Sequence, residues 1–147
     1  MDKFKCVEDF RLLAEHTMTE NASGYINSGS NSEEALRQNE ITLKAVKMNP
    51  SILVDVRNID LSTTILSTKC AIPFGIAPTA MHCLAHPLGE KNTIRTAKSF
   101  DTFYTLSTLS TTSISDVCQA SPDTSRIFQL YITKDRKIAE QIVRYAE

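Results

Sequence analysis

The spacing of apolar residues predicts two helices in the first third of the chain. One apolar stripe recurs at the three- and four-residue intervals of a helix, and its members are Val7, Phe10, Ala14 and Met18. Residues 21–32 are rich in Asn, Ser and Gly and are predicted to form a loop. Ser32 can cap a second helix, which is predicted to run to about Val46.

β-Branched and apolar residues predict a short hairpin after these helices. They lie at residues 52–56 and 64–66, with polar turn residues between them. The charges of Asp55, Arg57 and Asp60 are predicted to be solvated in turns and to take no part in chemistry.

From Ile72 onward, strand patterns alternate with helix patterns. Strand-like apolar runs lie at residues 74–77, 103–106 and 126–132. Helix patterns follow each of them, at residues 89–100, 113–120 and 134–147. Repeated βα units predict a parallel sheet with right-handed crossovers. The pattern leaves a doubly wound sheet and a barrel open, although no G-x-G-x-x-G motif or phosphate loop follows the first strand.

Length and composition narrow the class of protein. The 147 residues suffice for one domain with a core, whereas a complete (β/α)₈ barrel needs about 250 residues. With 17 acidic and 16 basic residues, the charge favours neither nucleic acid nor an anionic membrane surface as a partner. No apolar run reaches membrane-spanning length. The four cysteines form no C-x-x-C pair, which favours a reducing compartment over a disulfide framework or a metal site.

The last predicted helix continues to the final residues of the chain. Thr133 is its predicted cap, and Ile138, Ile142 and Ala146 recur at four-residue steps on its apolar face. No glycine or turn signal follows the helix before Glu147. We therefore expect the chain to be a fragment of a longer protein.

Three predicted strands end in polar or small residues, where parallel α/β folds place their ligand sites. The residues at these strand ends are Pro78, Thr79 and Ala80, then Ser107, and then Gln129 and Tyr131. The residues alone leave structural alternatives open. Ser107 is one of several loop hydroxyls, the Gln129 amide can be satisfied by backbone, and Tyr131 can be a core aromatic residue with a wet hydroxyl.

Five ordered stretches carry a family likeness, namely YINSG at residues 25–29, IDLSTT at 59–64, FGIAPTAM at 74–81, AHPLGE at 85–90 and FQLY at 128–131. They resemble the FMN-dependent 2-hydroxy acid oxidases, the glycolate oxidase family. The resemblance implies an α/β fold, the N-terminal part of a (β/α)₈ TIM barrel, with about the first three βα units preceded by two helices and a short β hairpin. It implies a single domain over residues 1–147, in which residues 1–71 form the helices and hairpin and residues 72–147 the first barrel units.

The same resemblance implies roles for individual residues. The residues implied to contact FMN are Pro78, Thr79, Ala80, Ser107 and Gln129. Tyr25 is implied to bind the substrate carboxylate and Tyr131 the substrate hydroxyl, although Tyr25 alone would be an ordinary loop tyrosine packed on the surface. The catalytic base histidine is expected beyond Glu147, so neither His82 nor His86 is assigned that role.

The implied reaction is the FMN-dependent oxidation of a small 2-hydroxy acid to a 2-keto acid, with oxygen as acceptor and hydrogen peroxide as product. Leu109 stands where glycolate oxidases tend to carry tryptophan, so a longer or bulkier acid than glycolate is an alternative substrate. Asp101 stands where a small residue is typical. A lactate-type dehydrogenase with another electron acceptor, and a non-catalytic remnant or interaction module, are the alternative functions.

The resemblance also implies the setting of the full-length protein. It is expected to be a homo-oligomer and peroxisomal, or otherwise cytoplasmic, without nucleic-acid or membrane partners. The usual peroxisomal address is a C-terminal tripeptide. The 147-residue chain alone is expected to be inactive and to bind FMN weakly.

Overall fold

The structure of the protein is a computed structural model, which describes residues 4–147. These residues form two compact units, one reaching to Asn58 and one comprising Ile59–Glu147, and each unit is described by itself. The predicted division of the chain after residue 71 stays a prediction. Across residues 4–147, every helix is too short or too polar to span a membrane.

Three helices make up the first unit, where the sequence predicted two. They are α1 (Val7–Thr17), α2 (Glu20–Asn27) and α3 (Glu34–Ala45). Helix α2 occupies residues 21–27 of the segment predicted to be a loop, so the prediction was wrong there, whereas residues 28–32 form no helix or strand, as predicted. The hydroxyl oxygen of Thr19 caps α2 by accepting a hydrogen bond from the backbone N–H of Ala22 (3.3 Å), which favours helix formation despite the polar composition.

Helix α3 starts later than predicted. Glu33, not Ser32, is its N-terminal cap residue, and Glu33 has a left-handed backbone with a φ of +59°. The Glu33 carboxylate accepts a hydrogen bond from the N–H of Gly29 (3.0 Å), which fixes the turn ahead of the helix. The end of the helix at Ala45 agrees with the predicted end near Val46.

A hairpin is present and its first strand matches the predicted strand at residues 64–66, but its partner is not the predicted segment 52–56. Strands β1 (Thr63–Ile65) and β2 (Thr68–Cys70) pair antiparallel and open the second unit. Leu66 and Ser67 connect them, and their φ angles of +47° and +65° suit a two-residue hairpin turn. Residues 52–56, predicted to be the first strand, form no strand.

Local hydrogen bonds explain why that predicted strand does not form. Asp55 accepts a hydrogen bond from the backbone N–H of Arg57 (3.0 Å) and pairs with its guanidinium group (2.7 Å). Asp60 likewise accepts from the N–H of Ser62 (2.8 Å). Such turns hold the backbone in conformations that compete with a strand ladder. These charged side chains are exposed, as predicted for solvated turns.

The rest of the second unit is the predicted alternation of strands and helices. Strands β3 (Tyr104–Ser107) and β4 (Arg126–Gln129) pair in parallel, and Ile76 adds a single parallel bridge to Tyr104. The helical segments are one 3₁₀ turn at His82–Leu84, then α4 (Gly89–Ser99), α5 (Ile114–Ala120) and α6 (Arg136–Ala146). The prediction of parallel βα units is therefore confirmed.

The first and third predicted strands are shorter than expected. Residues 74–77 contribute only the bridge at Ile76, because Pro73 and Pro78 flank this segment and lack the N–H group that a ladder needs. The third strand ends at Gln129, three residues earlier than predicted.

Helix α6 is capped by Asp135 and not by Thr133 as predicted. The Asp135 carboxylate accepts a hydrogen bond from the N–H of Lys137 (3.0 Å), whereas the Thr133 hydroxyl donates to the Asp135 carbonyl (2.6 Å). Ala139 is buried, while Ile138 on the predicted apolar face is half-exposed. The apolar face of this helix is only partly covered by the described residues.

The core of the second unit lies between α4, α5 and the parallel strands. Its buried members are Ile94, Ala97, Tyr104, Leu106 and Val117. All four residues of β3 are buried, as expected for a strand covered on both faces. Gly75 packs against Phe103, because a Cβ atom added at Gly75 would lie 2.5 Å from the phenyl ring. Glycine alone fits at this position without moving that ring.

Candidate functional site

The parallel register aligns three predicted site residues along one edge of the sheet. Ile76 pairs with Tyr104, and Tyr104 pairs with Arg126. The residues that lie three positions beyond these partners are Thr79, Ser107 and Gln129. Each of them lies C-terminal to its paired residue, so all three lie at the carboxyl ends of neighbouring strands, as predicted for a ligand site.

The side chains of Ser107 and Gln129 contact each other at this edge. The Ser107 hydroxyl donates to Gln129 Oε1 (3.3 Å), which also accepts from the backbone N–H of Thr108 (3.3 Å). The N–H of Leu109 donates back to Ser107 Oγ (3.1 Å). Within residues 4–147, Gln129 Nε2 donates to no acceptor. The Ser107 hydroxyl and the Thr108 backbone therefore satisfy the oxygen of this amide, and its N–H groups are available to a ligand.

Backbone donors are also available where the first strand ends. Pro78 and Thr79 are exposed and Ala80 is half-buried at the start of the segment that we call the first loop, residues 78–83. The Thr79 hydroxyl donates to the carbonyl of Ala77 (3.5 Å). In the described part of the chain, the backbone N–H groups of Thr79 and Ala80 have no acceptor. The first loop thus presents two free N–H donors beside the strand ends.

The two predicted substrate tyrosines lie in different units. Tyr131 is 56 % exposed just beyond β4, and its backbone N–H donates to Thr108 Oγ1 (3.2 Å). This exposure is inconsistent with the alternative that Tyr131 is a core aromatic residue. Tyr25 lies on α2 of the first unit and is 48 % exposed, so it belongs to a helix and not to the predicted loop.

Among the described residues, the three histidine side chains form no hydrogen bond with Thr79, Ser107 or Gln129. His82 Nδ1 lies 3.0 Å from Thr93 Oγ1, and His86 Nδ1 accepts a hydrogen bond from the N–H of Leu88 (3.1 Å). His16 is exposed in the last turn of α1. The contacts of His86 fit the structural role predicted for it, at the start of α4.

Glu90, for which no role was predicted, has the most hydrogen bonds of the side chains near the site. It is fully buried on α4. Its carboxylate accepts from the backbone N–H groups of His82 (3.2 Å) and Thr111 (2.8 Å). The hydroxyls of Thr111 (2.8 Å) and Thr112 (2.6 Å) donate to it as well. An acidic residue in the first turn of a helix is ordinary, so the helix pattern does not distinguish Glu90 from a surface carboxylate, although Glu90 ends the family-like stretch AHPLGE.

The carboxyl group of Glu90 is ionised in this environment. Burial alone would raise its pKa, but the hydrogen bonds from Thr112 and Thr111 outweigh burial and lower the pKa to about 2. The phenol of Tyr104 responds to the same surroundings. Burial, together with the negative charge of Glu90, raises the pKa of Tyr104 well above its usual range. Glu90 therefore carries a negative charge at its contacts with His82 of the first loop and with Thr111.

Metal ligands are not grouped in the part of the chain that the structure describes. No set of three or more His, Cys, Asp or Glu side chains is placed to hold an ion there. The four cysteines are free thiols at Cys6, Cys70, Cys83 and Cys118.

Comparison with known proteins decides the family. A family model described as FMN-dependent dehydrogenase matches residues 14–147. The chain belongs to the FMN-dependent dehydrogenase family. The resemblance drawn from the five sequence stretches is thereby confirmed.

The curated relatives are hydroxy acid oxidases. Glycolate oxidase 1 from Zea mays is 40% identical over 147 residues, which is 100% of this chain and 40% of that protein. 2-Hydroxyacid oxidase 1 from Mus musculus is 36% identical over the same length, again 40% of the relative. A peroxisomal (S)-2-hydroxy-acid oxidase from Oryza sativa subsp. indica is 40% identical over 141 residues, 96% of this chain and 38% of the relative. The chain thus spans about two fifths of the length of these relatives.

Solved structures agree with this family. The flavin-binding domain of flavocytochrome b2 from baker's yeast matches 99% of this chain and 38% of its own, with a TM-score of 0.92 and 35% identity. A mandelate oxidase variant with 2-hydroxy-phenylacetamide matches 98% of this chain and 42% of its own, with a TM-score of 0.91 and 28% identity. The structural relatives are TIM-barrel flavoproteins, so the predicted α/β class is confirmed. The number of barrel units in this chain stays a prediction.

Proposed function

We propose that this chain supplies the first flavin-binding face of an FMN-dependent enzyme that oxidises a small 2-hydroxy acid to a 2-keto acid. The observation that carries the proposal is the alignment of Thr79, Ser107 and Gln129 at one edge of the parallel strands. When bound, FMN supplies the redox chemistry by accepting two electrons and the C2 hydrogen of the substrate. The protein residues bind and orient the reactants.

The donors at this edge fit the polar side of a flavin ring, which carries carbonyl and ring-nitrogen acceptors. The backbone N–H groups of Thr79 and Ala80 are unpaired among the described residues, and Gln129 Nε2 is unpaired in the same sense. Ser107 holds Gln129 by donating to its Oε1, which leaves the amide N–H groups facing away from that contact. Pro78 has no N–H group and ends the ladder, so the chain after it is free to follow a planar ligand.

The two tyrosines are assigned to the substrate. A phenol donates one hydrogen bond, and Tyr131 and Tyr25 are both exposed enough to offer it, Tyr25 to the carboxylate and Tyr131 to the hydroxyl. Such neutral donors lack the charge and fork geometry with which arginine clamps a carboxylate. The resemblance places the base histidine beyond Glu147 and assigns that role to neither His82 nor His86, so we expect no turnover by the 147-residue chain alone.

Oxygen is the electron acceptor that we propose, with hydrogen peroxide as product, and the cell location that we propose is the peroxisome. Both follow from relatives named as oxidases, one of them peroxisomal by name. The half-exposed Leu109 lies on the loop after Ser107, and a side chain smaller than tryptophan there favours acids bulkier than glycolate. Transfer of electrons to a carrier is the second candidate, favoured by the match to flavocytochrome b2. Assembly into a homo-oligomer stays a prediction.

Titration of the chain with FMN tests the binding face directly. We expect weak but saturable quenching of flavin fluorescence. Gln129→Leu should weaken the affinity by about tenfold, as expected for the loss of a ligand hydrogen bond near 1.4 kcal/mol. Gln119→Leu is the matched control, because the exposed Gln119 amide donates only to Ser115 on the same helix. Equal effects of the two substitutions would contradict the proposed face.

A chimera tests the reaction. This chain is joined to the remaining three fifths of the Zea mays relative, and flavin reduction by a panel of 2-hydroxy acids is followed without oxygen. Reduction supports the oxidation of a hydroxy acid, and peroxide formed on admitting air supports the oxidase over a dehydrogenase that uses a carrier. A folded chimera that binds FMN but is reduced by no acid would favour the non-catalytic remnant.

A further inference from the structure

One buried carboxylate joins the two loops that carry the proposed flavin contacts. One of them is the first loop, residues 78–83. The other, which we call the second loop, comprises residues 108–112 after β3. Glu90 accepts a hydrogen bond from the N–H of His82 in the first loop (3.2 Å). It accepts three kinds of hydrogen bond from the second loop, from Thr111 N–H, Thr111 Oγ1 and Thr112 Oγ1.

Direct bonds between the loops accompany this carboxylate. The N–H of Met81 donates to the carbonyl of Leu109 (3.2 Å). The N–H of Cys83 donates to Thr111 Oγ1 (3.1 Å), the same hydroxyl that bonds to Glu90. Thr111 is therefore the residue through which the first loop, the second loop and Glu90 meet.

Neutral donors alone surround the charge of Glu90. Among the described residues no Lys, Arg or His forms an ion pair with it, and its oxygens are bonded only to N–H and O–H groups. Hydrogen bonds to an ionised acceptor are about twice as strong as neutral ones and are strongly directional. A buried charge held in this way favours one position for each donor, because displacing a donor removes part of the compensation for the buried charge.

Close packing supports the same junction. Gly89, the neighbour of Glu90, has a φ of +44°, and a Cβ atom there would lie 2.6 Å from Cys83 Sγ. The start of α4 is thus pressed against the first loop, which leaves the loop little room to move.

We propose that Glu90 is a positioning residue that holds the first and second loops at the mutual spacing that FMN binding requires. The inference rests on the proposed function. That function assigns flavin contacts to Thr79, Ala80 and Ser107, which lie on these loops or at the strand ends before them. Glu90 itself touches neither flavin nor substrate in this proposal. It acts through Thr111 and His82, which set where the free N–H groups of Thr79 and Ala80 point.

Substitution at Thr111 tests this role without removing the buried charge. Thr111→Val deletes the hydroxyl that bonds to both Glu90 and Cys83, while Thr111→Ser keeps it. Thr96→Val is the matched control, because Thr96 is exposed on α4 and its hydroxyl donates only to the Asn92 carbonyl of the same helix. For each 147-residue chain we would measure the FMN dissociation constant by fluorescence and amide hydrogen exchange by NMR, well below the melting temperature.

The expected result is a coupled change in both loops. Thr111→Val should weaken FMN binding by about tenfold and speed amide exchange at Met81, in the other loop, by a similar factor. Thr111→Ser should restore both, and Thr96→Val should change neither. A lower melting temperature with unchanged FMN affinity and unchanged exchange at Met81 would show a purely structural role and overturn the proposal.

The exchange measurement also separates this inference from the proposed function. If the unsubstituted chain binds no FMN, the proposed binding face fails. Faster exchange at Met81 in Thr111→Val would still support the coupling of the loops. Exchange that changes only at Thr111 and its sequence neighbours would overturn that coupling whatever happens with FMN.

Discussion

The two units place acidic side chains in opposite environments. On α1 of the first unit, Glu8 and Glu15 pair with Arg11 on a face open to water. On α4 of the second unit, Glu90 is fully buried and has no basic partner among the described residues. The first arrangement looks stronger because it joins opposite charges, yet exposed ion pairs are screened and contribute little. The buried carboxylate depends entirely on its hydrogen bonds, so its removal leaves several donors unpaired.

Apolar side chains differ between the units in the same way. Among the described residues of α1, α2 and α3 in the first unit, only Ala22 is buried. Val7 of α1 is 84% exposed. The second unit instead has a contiguous core that includes Ile94 and Tyr104. Helices with apolar faces thus border a packed interior in the second unit and leave their apolar side chains open to solvent in the first. The effect of a substitution should follow this difference and not the residue type.

The largest expected effect is the loss of the buried carboxylate. Glu90→Ala should lower the free energy of unfolding by at least about 3 kcal/mol, because it leaves buried hydrogen-bond donors without acceptors. Urea denaturation followed by circular dichroism measures the change. Glu15→Ala on α1 is the control and should leave the midpoint within experimental error. Similar midpoints for the two variants would contradict the contrast between the units.

The next effect is a dependence of stability on pH. The carboxyl pKa of Glu90 is about 2 in the folded chain against an ordinary 4.5. Because the folded value is the lower one, the carboxylate stabilises the fold fully above about pH 4.5, and this contribution is lost as the pH falls through about 2. Between about pH 5 and pH 2 the unsubstituted chain should lose about 3 kcal/mol more than Glu90→Gln does.

Urea titrations at several pH values check this difference. Tyr104 stays neutral throughout the range, because burial and the charge of Glu90 raise its pKa. Glu8→Gln is the control, since the pKa of Glu8 is also lowered, by its hydrogen bond with Arg11, but the group is in water. Parallel pH curves for Glu90→Gln and the unsubstituted chain would exclude Glu90 as the source.

The sequence predicted the parallel βα units well and the burial of Glu90 not at all. Strand and helix patterns after residue 72 depend on local periodicity, which the folded chain keeps. Glu8, Glu34 and Glu90 all lie in the first turn of a helix, so their local signals are alike. What separates Glu90 is its contact with Thr111 and Thr112, and that contact forms only in the tertiary structure.

The candidate site was predictable to the same extent. Thr79, Ser107 and Gln129 follow from the rule that parallel strands carry ligand residues at their carboxyl ends. The environment of Tyr25 was mispredicted, because the polar run around it suggested a loop whereas the Thr19 cap starts a helix there. Short helices depend on such caps more than on composition, which is why local reasoning failed at this position.

An intermediate effect is expected from adding one methyl group in each unit. At Gly75 the new Cβ would lie 2.5 Å from the Phe103 ring, so Gly75→Ala should destabilise the chain by about 1–3 kcal/mol. At Gly24, inside α2, nothing lies within 4 Å of the new Cβ. Gly24→Ala should stabilise the chain by about 0.5–1 kcal/mol through helix propensity. Thermal and urea unfolding compare the two, and Phe103→Leu should relieve the strain at residue 75.

The smallest expected effect concerns two acidic residues with left-handed backbone, one in each unit. Asp101 has a φ of +47°, and its carboxylate only approaches Lys98 at 3.9 Å on the surface. Asp101→Gly should therefore stabilise the chain by about 0.5–1 kcal/mol, because glycine adopts this conformation without strain.

Glu33 has a φ of +59°, but its carboxylate accepts a hydrogen bond from the N–H of Gly29, so Glu33→Gly loses this hydrogen bond along with the strain. Urea unfolding compares the two variants. A larger gain in the free energy of unfolding for Asp101→Gly than for Glu33→Gly would show that the hydrogen bond of the Glu33 carboxylate offsets the backbone strain. Equal gains would mean that the exposed turn of the first unit draws no stability from that hydrogen bond.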